Sequence, residues 1–379
     1  MARYSNEEGI LREFFADENV QFPKFPALVG GVHVYQAPWG LGIQFRGGAQ
    51  RIVVRGGNSY SVWDFLSTRL DGSKEIPKIL SEAKDSGVSP IEVASFLKTL
   101  HCYHLLRDSE ADRVGVMDVR VGVHLAQQMN YYNRILPMTG RNQDASQALE
   151  RLFRVKVLLV VNDELLEFAA RGLYEACIRN VGLLKIVKDG RFSHSFEAYE
   201  GMNLLSEHTY EYSDGSGIEN ALDKIIEDYS YVLAVVREPS VRFLGDIAHM
   251  CNIKQRPFLP ITLVENEYSV GPFFFPHMDT ACITCANLRS QSVTKGAADE
   301  YVYQNHLEEN GEVSNVQIAG FDIQGLEIVI NLAVSQLKQQ VAELTSPRYI
   351  NQIMRLNVLN LSLTQELVIR VPGCTSCSD

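Results

Sequence analysis

From Val155 onward the chain alternates short apolar runs with amphipathic helical stretches, a pattern that few folds accept. "RVKVLLVV" reads as a strand, "ELLEFAARGLYEACIRN" as a helix and "GLLKIV" as a second strand. "ALDKIIEDY", "YVLAVV", "SVRFLGDIAHMCN" and "FLPITLV" continue the alternation. The first strand is continuously apolar and rich in β-branched residues, as expected of a strand buried on both faces. The spacing therefore predicts an α/β fold with a doubly wound, mostly parallel sheet. At the first strand-to-helix turn, nucleotide sites use glycines so that backbone N–H groups can approach phosphates. This turn holds Asn162, Asp163 and Glu164 instead. Asp163 and Glu164 suit a helix N-terminus as cap and first-turn acid, and they would repel a triphosphate.

Residues 1–110 read as a separate module. In "HVYQAPWGLGIQFRGGAQRIVVRGG", short alternating runs are separated by Pro-Trp-Gly and Gly-Gly, the pattern of a three-stranded antiparallel meander. Three helices follow: "SYSVWDFLSTRL" with Asn58 available as a cap, "EIPKILSEAK", and "SPIEVASFLKTLHCYHLL" with a Ser-Pro start. Three strands and three helices make a small winged-helix-like module. Residues 111–150 read as a helical bridge and 151–379 as the α/β domain.

Late in that domain, "EYSVGPFFFP" reads as a strand leading to "CITCANLR". "DIQGLEIVINLAVSQLKQQVAEL" reads as a long helix with Leu326, Ile330, Leu337, Val341 and Leu344 on its apolar side. "MRLNVLNLSLTQELVIRV" reads as a terminal hairpin delivering the last two cysteines. Cys282 with Cys285, and Cys374 with Cys377, form two C-x-x-C knuckles. Four thiolates are the closed donor set of a structural zinc site, with no position left open for substrate. The competing readings are two redox dithiols or unrelated free cysteines. Cys102, Cys177 and Cys251 lie in apolar helical contexts and read as core residues.

Other signals mostly exclude. The net charge is −11, from 35 basic and 46 acidic residues, which disfavours a general nucleic-acid binder. No apolar run reaches the roughly 20 residues that cross a bilayer, and the start shows no signal core, so a cytosolic protein is expected. The nine histidines form no catalytic or metal-binding grouping, although His277 stands five residues before Cys282. Arg51, Arg55 and Lys98 would favour an acidic peptide, or are solvated surface charges.

Together these segments resemble one family. "YYNRILPMTGRNQDASQALERLFRVKVLLVV" resembles the entry to the ThiF/MoeB-type activating-enzyme domain, a Rossmann-like fold. "YVLAVVREPSVRFLGDIAHMCNIKQRPFLPI" resembles its later strands, and "VGPFFFPHMDTACITCANLR" with "VPGCTSC" resembles the region of its paired zinc cysteines. The N-terminal block resembles the PqqD-like recognition element of peptide-modifying enzymes. The combination is similar to ThiF-like leader-peptide-binding proteins of azole- and azoline-forming (TOMM-type) RiPP clusters, which serve bacteriocin maturation. The resemblance implies that a precursor's leader peptide adds as a strand to the module's sheet edge. The groove would then lie between Arg51, Ile52, Val53, Val54 and Arg55 and the helical residues Val93, Phe96, Leu97 and Leu100. It also implies a YcaO-type cyclodehydratase as partner, a homodimer and structural Zn2+. Departures decide the rest. The three loop glycines are replaced by Val161, Asp163 and Leu166, and Lys188 stands where a ribose-binding acid belongs, followed by Asp189. Glu238 stands near the place of a metal-binding Asp, and Arg134 matches an arginine that reaches a neighbouring subunit's nucleotide. The expectation is a non-catalytic subunit that presents a peptide. The alternative is an enzyme that adenylates a peptide with ATP and Mg2+.

Overall fold

The computed structural model describes residues 22–47, 51–103, 105–109, 128, 131–132, 135, 145–187, 199, 201–211, 217–237, 239–293, 298–299, 302, 320–344 and 350–378. The chain divides into two compact units, Met1–Glu150 and Arg151–Asp379. No described helix is long and apolar enough to cross a membrane.

The first unit contains β1 (Pro26–Leu28), β2 (His33–Ala37), β3 (Gly42–Arg46), β4 (Ile52–Val54), α1 (Ser59–Ser67), α2 (Ile76–Asp85), α3 (Pro90–Cys102) and β5 (Leu106–Asp108). β2, β3 and β4 form the antiparallel sheet expected from the alternating runs, with β4 at one edge. The ribbon of β1 with β5 has no sequence signal of its own at three residues per strand. Ile43, Phe45 and Ile52 point inward, since side chains alternate across a strand, and they meet Val62, Leu66, Ile79, Val93 and Leu97 from the helices. Ser89 caps α3, its Oγ accepting from the Glu92 N–H. Asn58 does not cap α1. Its backbone sits at φ −103°, ψ 7°, outside the extended region that aims a cap inward, and its amide donates to Glu92 Oε1 at 2.8 Å.

Across the boundary between units runs α4 (Ala145–Arg154). The second unit continues with β6 (Lys156–Asn162), α5 (Leu166–Glu175), β7 (Asn180–Val187), β8 (Asn203–Glu211), α6 (Ile218–Ile225), β9 (Tyr231–Arg237), α7 (Val241–Ile253), β10 (Phe258–Val264), β11 (Glu267–Val270), α8 (Ile283–Val293), α9 (Ile323–Val341), β12 (Gln352–Asn357) and β13 (Ser362–Leu367). They build one eight-stranded sheet in the order β13-β12-β11-β10-β9-β6-β7-β8. The five strands from β10 to β8 are parallel, and β11, β12 and β13 add an antiparallel meander. Helices cover both faces. Leu158, Val160, Val232 and Ala234 pack towards α6 and α7, while α5 and α9 pack together, with α9 reaching β10 and β11. The apolar stripe read from the sequence of α9 is buried, including Leu344 just past its end.

Candidate functional site

The sheet order reverses between β6 and β9, and in open α/β sheets ligands bind beyond the carboxyl ends of the strands at that point. β6 ends there in one 3-10 turn, Asp163–Leu165, before α5 begins. Between Val155 and Ala176 no residue takes a positive φ, so the turn never uses the left-handed geometry a glycine loop supplies. Val161, Asp163 and Leu166, at the three glycine positions, are all buried. Asp163 opens the 3-10 turn rather than capping α5; Asn162 precedes it in extended geometry. The Asn162 side chain bridges the switch point, its Oδ1 accepting from the Arg237 N–H at 2.8 Å. The Arg237 guanidinium in turn lies 3.4 Å from the Glu164 carboxylate. Asn162, Arg237 and Glu164 thus meet at the carboxyl ends of β6 and β9. Sequence reasoning missed the Asn162–Arg237 link because its partners lie on different strands. Arg134, Asp189 and Glu238, read as remnants of a nucleotide site, and Lys188 lie outside the described residues.

The four cysteines come together. Cys282 and Cys285 flank the start of α8, and Cys374 and Cys377 arrive on the tail after β13. Their Sγ atoms all lie within 4.8 Å of one another, and all four are buried. Neighbouring sulfurs are 3.8 Å (Cys282 and Cys285), 3.6 Å (Cys282 and Cys374) and 3.5 Å (Cys285 and Cys377) apart. A tetrahedral ion with Zn–S bonds of about 2.3 Å needs sulfur–sulfur edges of about 3.8 Å, so the donor set fits a metal ion. The crowding of the four sulfurs pushes the Cys282 thiol up, chiefly through its contact with Cys285, while the contact with Cys282 takes Cys285 far below the ordinary thiol range and Cys374 to about 6. The backbone N–H of Val371 also donates to Cys285 Sγ at 3.3 Å, the second contact usual for a ligating thiolate.

The knuckles are further locked by Thr284 Oγ1 and Ser376 Oγ, 2.8 Å apart and buried. Both hydroxyls occupy the same place in their C-x-x-C spacers, a signal the sequence carried. Gly245 on α7 lies against this link: a Cβ there would stand 3.2 Å from Thr284 Oγ1 and 3.3 Å from Ser376 Oγ. His277 is exposed, its ring edge-on to Phe275. Of the remaining cysteines, Cys177 and Cys251 are buried as expected, but Cys102, in the last turn of α3, is exposed.

On the N-terminal unit, β4 pairs on one side only, with β3, among the described residues. Arg51 and Arg55 are exposed, Val53 and Val54 half-buried and Ile52 buried. Val93, Phe96, Leu97 and Leu100 lie in the unit's core beneath the sheet. Half-buried Trp63 stacks on Phe96 at 6.1 Å and meets the edge of Phe45 at 5.0 Å. Lys98 is half-buried on α3.

No family model and no curated protein matches the chain. Solved structures do. E. coli MccB with ATP superposes with a TM-score of 0.61 at 13% identity, covering 93% of this chain and 99% of MccB. The Microcin C7 biosynthetic enzyme MccB in complex with N-formylated MccA superposes at 0.60 with 14% identity and the same coverage. The heterocyclase TruD superposes at 0.60 with 15% identity, covering 94% of this chain but 43% of TruD. This chain therefore spans less than half of TruD's length. The shared feature is the fold: a large, mostly parallel sheet as in the ThiF-like fold of MccB, preceded by a small antiparallel sheet.

Proposed function

We propose that this chain is a peptide-recognition subunit of RiPP biosynthesis. Its N-terminal unit captures the leader of a ribosomally made precursor peptide, and the assembly presents the core to a YcaO-type cyclodehydratase that makes azoline rings. The α/β unit serves as a scaffold held by a structural zinc ion on Cys282, Cys285, Cys374 and Cys377. Two structural neighbours support a peptide substrate: one is a heterocyclase and the other was solved with the peptide MccA. The observation that carries the non-catalytic role is the turn after β6. It has no left-handed residue, and Asn162, Arg237 and Glu164 close it where phosphates would approach backbone N–H groups. The edge of β4 is where a leader strand would add, with exposed Arg51 and Arg55 flanking it to receive carboxylates.

The second reading, an adenylating enzyme, is favoured by the ATP-bound MccB that superposes over nearly its whole length. Titrating ATP with Mg2+ into the full chain separates the two. The recognition reading expects no saturable heat up to millimolar nucleotide. Tight binding that is lost in Arg134→Ala sinks it. In the same assay, a ribosomal precursor peptide with an acidic leader should bind, and R51E/R55E should weaken it roughly tenfold, the scale of two reversed exposed charge pairs.

A further inference from the structure

In "CITCANLR" an arginine follows the second cysteine of the knuckle by four residues. Residues four apart share a helix face and side chains lean towards the N-terminus, so on α8 Arg289 lies over the turn of Cys285. The arginine is exposed, yet its guanidinium grips main chain. Its Nε donates to the Ile369 carbonyl at 2.6 Å and its Nη2 to the Arg370 carbonyl at 3.4 Å. The next amide, Val371 N–H, donates to Cys285 Sγ at 3.3 Å. The Arg370 carbonyl and the Val371 N–H belong to one peptide unit, which is trans. In a planar trans peptide the two groups point in opposite directions, so a hold on the oxygen aims the hydrogen. A donor at the oxygen also polarises the unit and strengthens the bond that its N–H makes.

We propose that Arg289 is a positioning residue of the metal site, acting on Cys285 through the Arg370–Val371 peptide. Four thiolates around a divalent ion leave two negative charges in a buried place, and nearby donors must offset them. The Val371 N–H supplies one donor, and the guanidinium behind the same peptide supplies a cation without touching the metal. A thiolate that accepts a charge-assisted hydrogen bond gives up less electron density, so Cys285 keeps its ion and resists electrophiles. Fastening the tail does not require Arg289. The Val368 N–H donates to the Asn351 carbonyl at 2.7 Å, and Asn351 Oδ1 accepts from the Ala281 N–H at 2.6 Å, beside Cys282. Asn351 thus ties the approaches to both knuckles together, and the Arg370 guanidinium adds a bond to the Cys377 carbonyl. Arg289 is left to orient one peptide. This role rests on the zinc reading of the four cysteines and is independent of peptide recognition.

The test compares the full chain with Arg289→Ala and Arg289→Lys, each loaded with Zn2+ or with Co2+ as a spectroscopic substitute. In Arg289→Ala the sulfur-to-cobalt charge-transfer band should move to lower energy, because a thiolate with a weaker donor holds its electrons less tightly. Zinc should pass to a competing chromophoric chelator about tenfold faster, the lower end of the range for lost outer contacts. Iodoacetamide labelling of the zinc-loaded protein, mapped by mass spectrometry, should rise at Cys285 more than at Cys282, Cys374 or Cys377. Arg289→Lys should fall between, since an ammonium reaches one carbonyl where the guanidinium fork reaches two. Arg289 is exposed and the tail has its own anchor at Val368, so circular dichroism should show both variants folded. An Arg289→Ala band and zinc loss equal to those of the wild type overturn the proposal. So does labelling that rises equally at all four cysteines, the mark of a tail fastener. Wild-type protein that carries no zinc and takes up no Co2+ overturns the zinc reading along with it.

Discussion

Gly182 on β7 has a negative φ and is there for space. A Cβ at this position would lie 2.0 Å from Tyr229 Oη and 2.2 Å from its Cζ. The buried phenol bonds Ser206 Oγ at 2.6 Å, and the β7–β8 register shifts beside it, between Val181 and Gly182. Gly182→Ala forces the ring away from that partner, and overpacking of this kind costs about 1–3 kcal/mol. Urea unfolding of the α/β unit should show the loss, and Tyr229→Phe in the same background should recover only part of it, since it removes Oη but leaves Cζ in the way. A second residue-scale effect belongs to the N-terminal unit. Glu82 accepts from Lys74 Nζ at 2.7 Å and from Arg69 Nε at 2.9 Å, and these bonds hold its carboxyl below the ordinary glutamate range. A carboxyl depressed in the folded state stabilises it above the unfolded pKa, and that contribution fades as pH falls through the folded value. The gap between the urea midpoints of wild type and Glu82→Gln should therefore shrink as pH drops below the ordinary glutamate range. A gap that widens contradicts this account.

Elements begin where side chains can satisfy exposed N–H groups, and α7 shows this most clearly. Ser240 Oγ accepts from the Phe243 N–H at 3.1 Å at the carboxyl side of β9, and the serine is buried. Ser240→Ala leaves that donor without its partner and should cost about 1–2 kcal/mol, the upper part of the range for a lost cap, read as a lower thermal midpoint. The same logic explains what the sequence made legible. β6, β9 and β10 are buried on both faces, so their apolar runs stand out, and the Ser-Pro start of α3 marks its real cap. β8 was missed because an edge strand carries polar and charged residues on both faces, and "NLLSEHTYE" shows no clean period. Asn58 was misjudged because cap chemistry depends on backbone angles that composition does not reveal. The cysteine cluster was legible from spacing alone. The turn after β6 was only half legible: the missing glycines were plain, while the Asn162 bridge to Arg237 needed the pairing of β6 with β9.

At the scale of the whole molecule, the two units hold separate cores, and only the second contains the four cysteines. These sulfurs tie the chain's last residues to the start of α8, closing a loop across 92 positions between Cys282 and Cys374. Cys282, Cys285, Cys374 and Cys377 are continuous with the core beneath α6 and α7, so the ion would hold down a whole layer of the sheet. Structural zinc contributes roughly 10–16 kcal/mol of apparent binding in small peptides, energy that becomes folding energy where the site forms only on folding. Removing it from a unit this size, at roughly 2–4 °C of midpoint per kcal/mol, should lower that unit's transition by ten degrees or more. A strong chelator, or Cys285→Ser, should therefore shift the transition of residues 151–379 and leave that of the N-terminal unit in place. Calorimetry with domain-resolved hydrogen exchange distinguishes the two. Protein purified without zinc, or a chelator that moves neither transition, would return the cysteines to the dithiol reading. In that case oxidation should form disulfides within the cluster, which bound zinc would block.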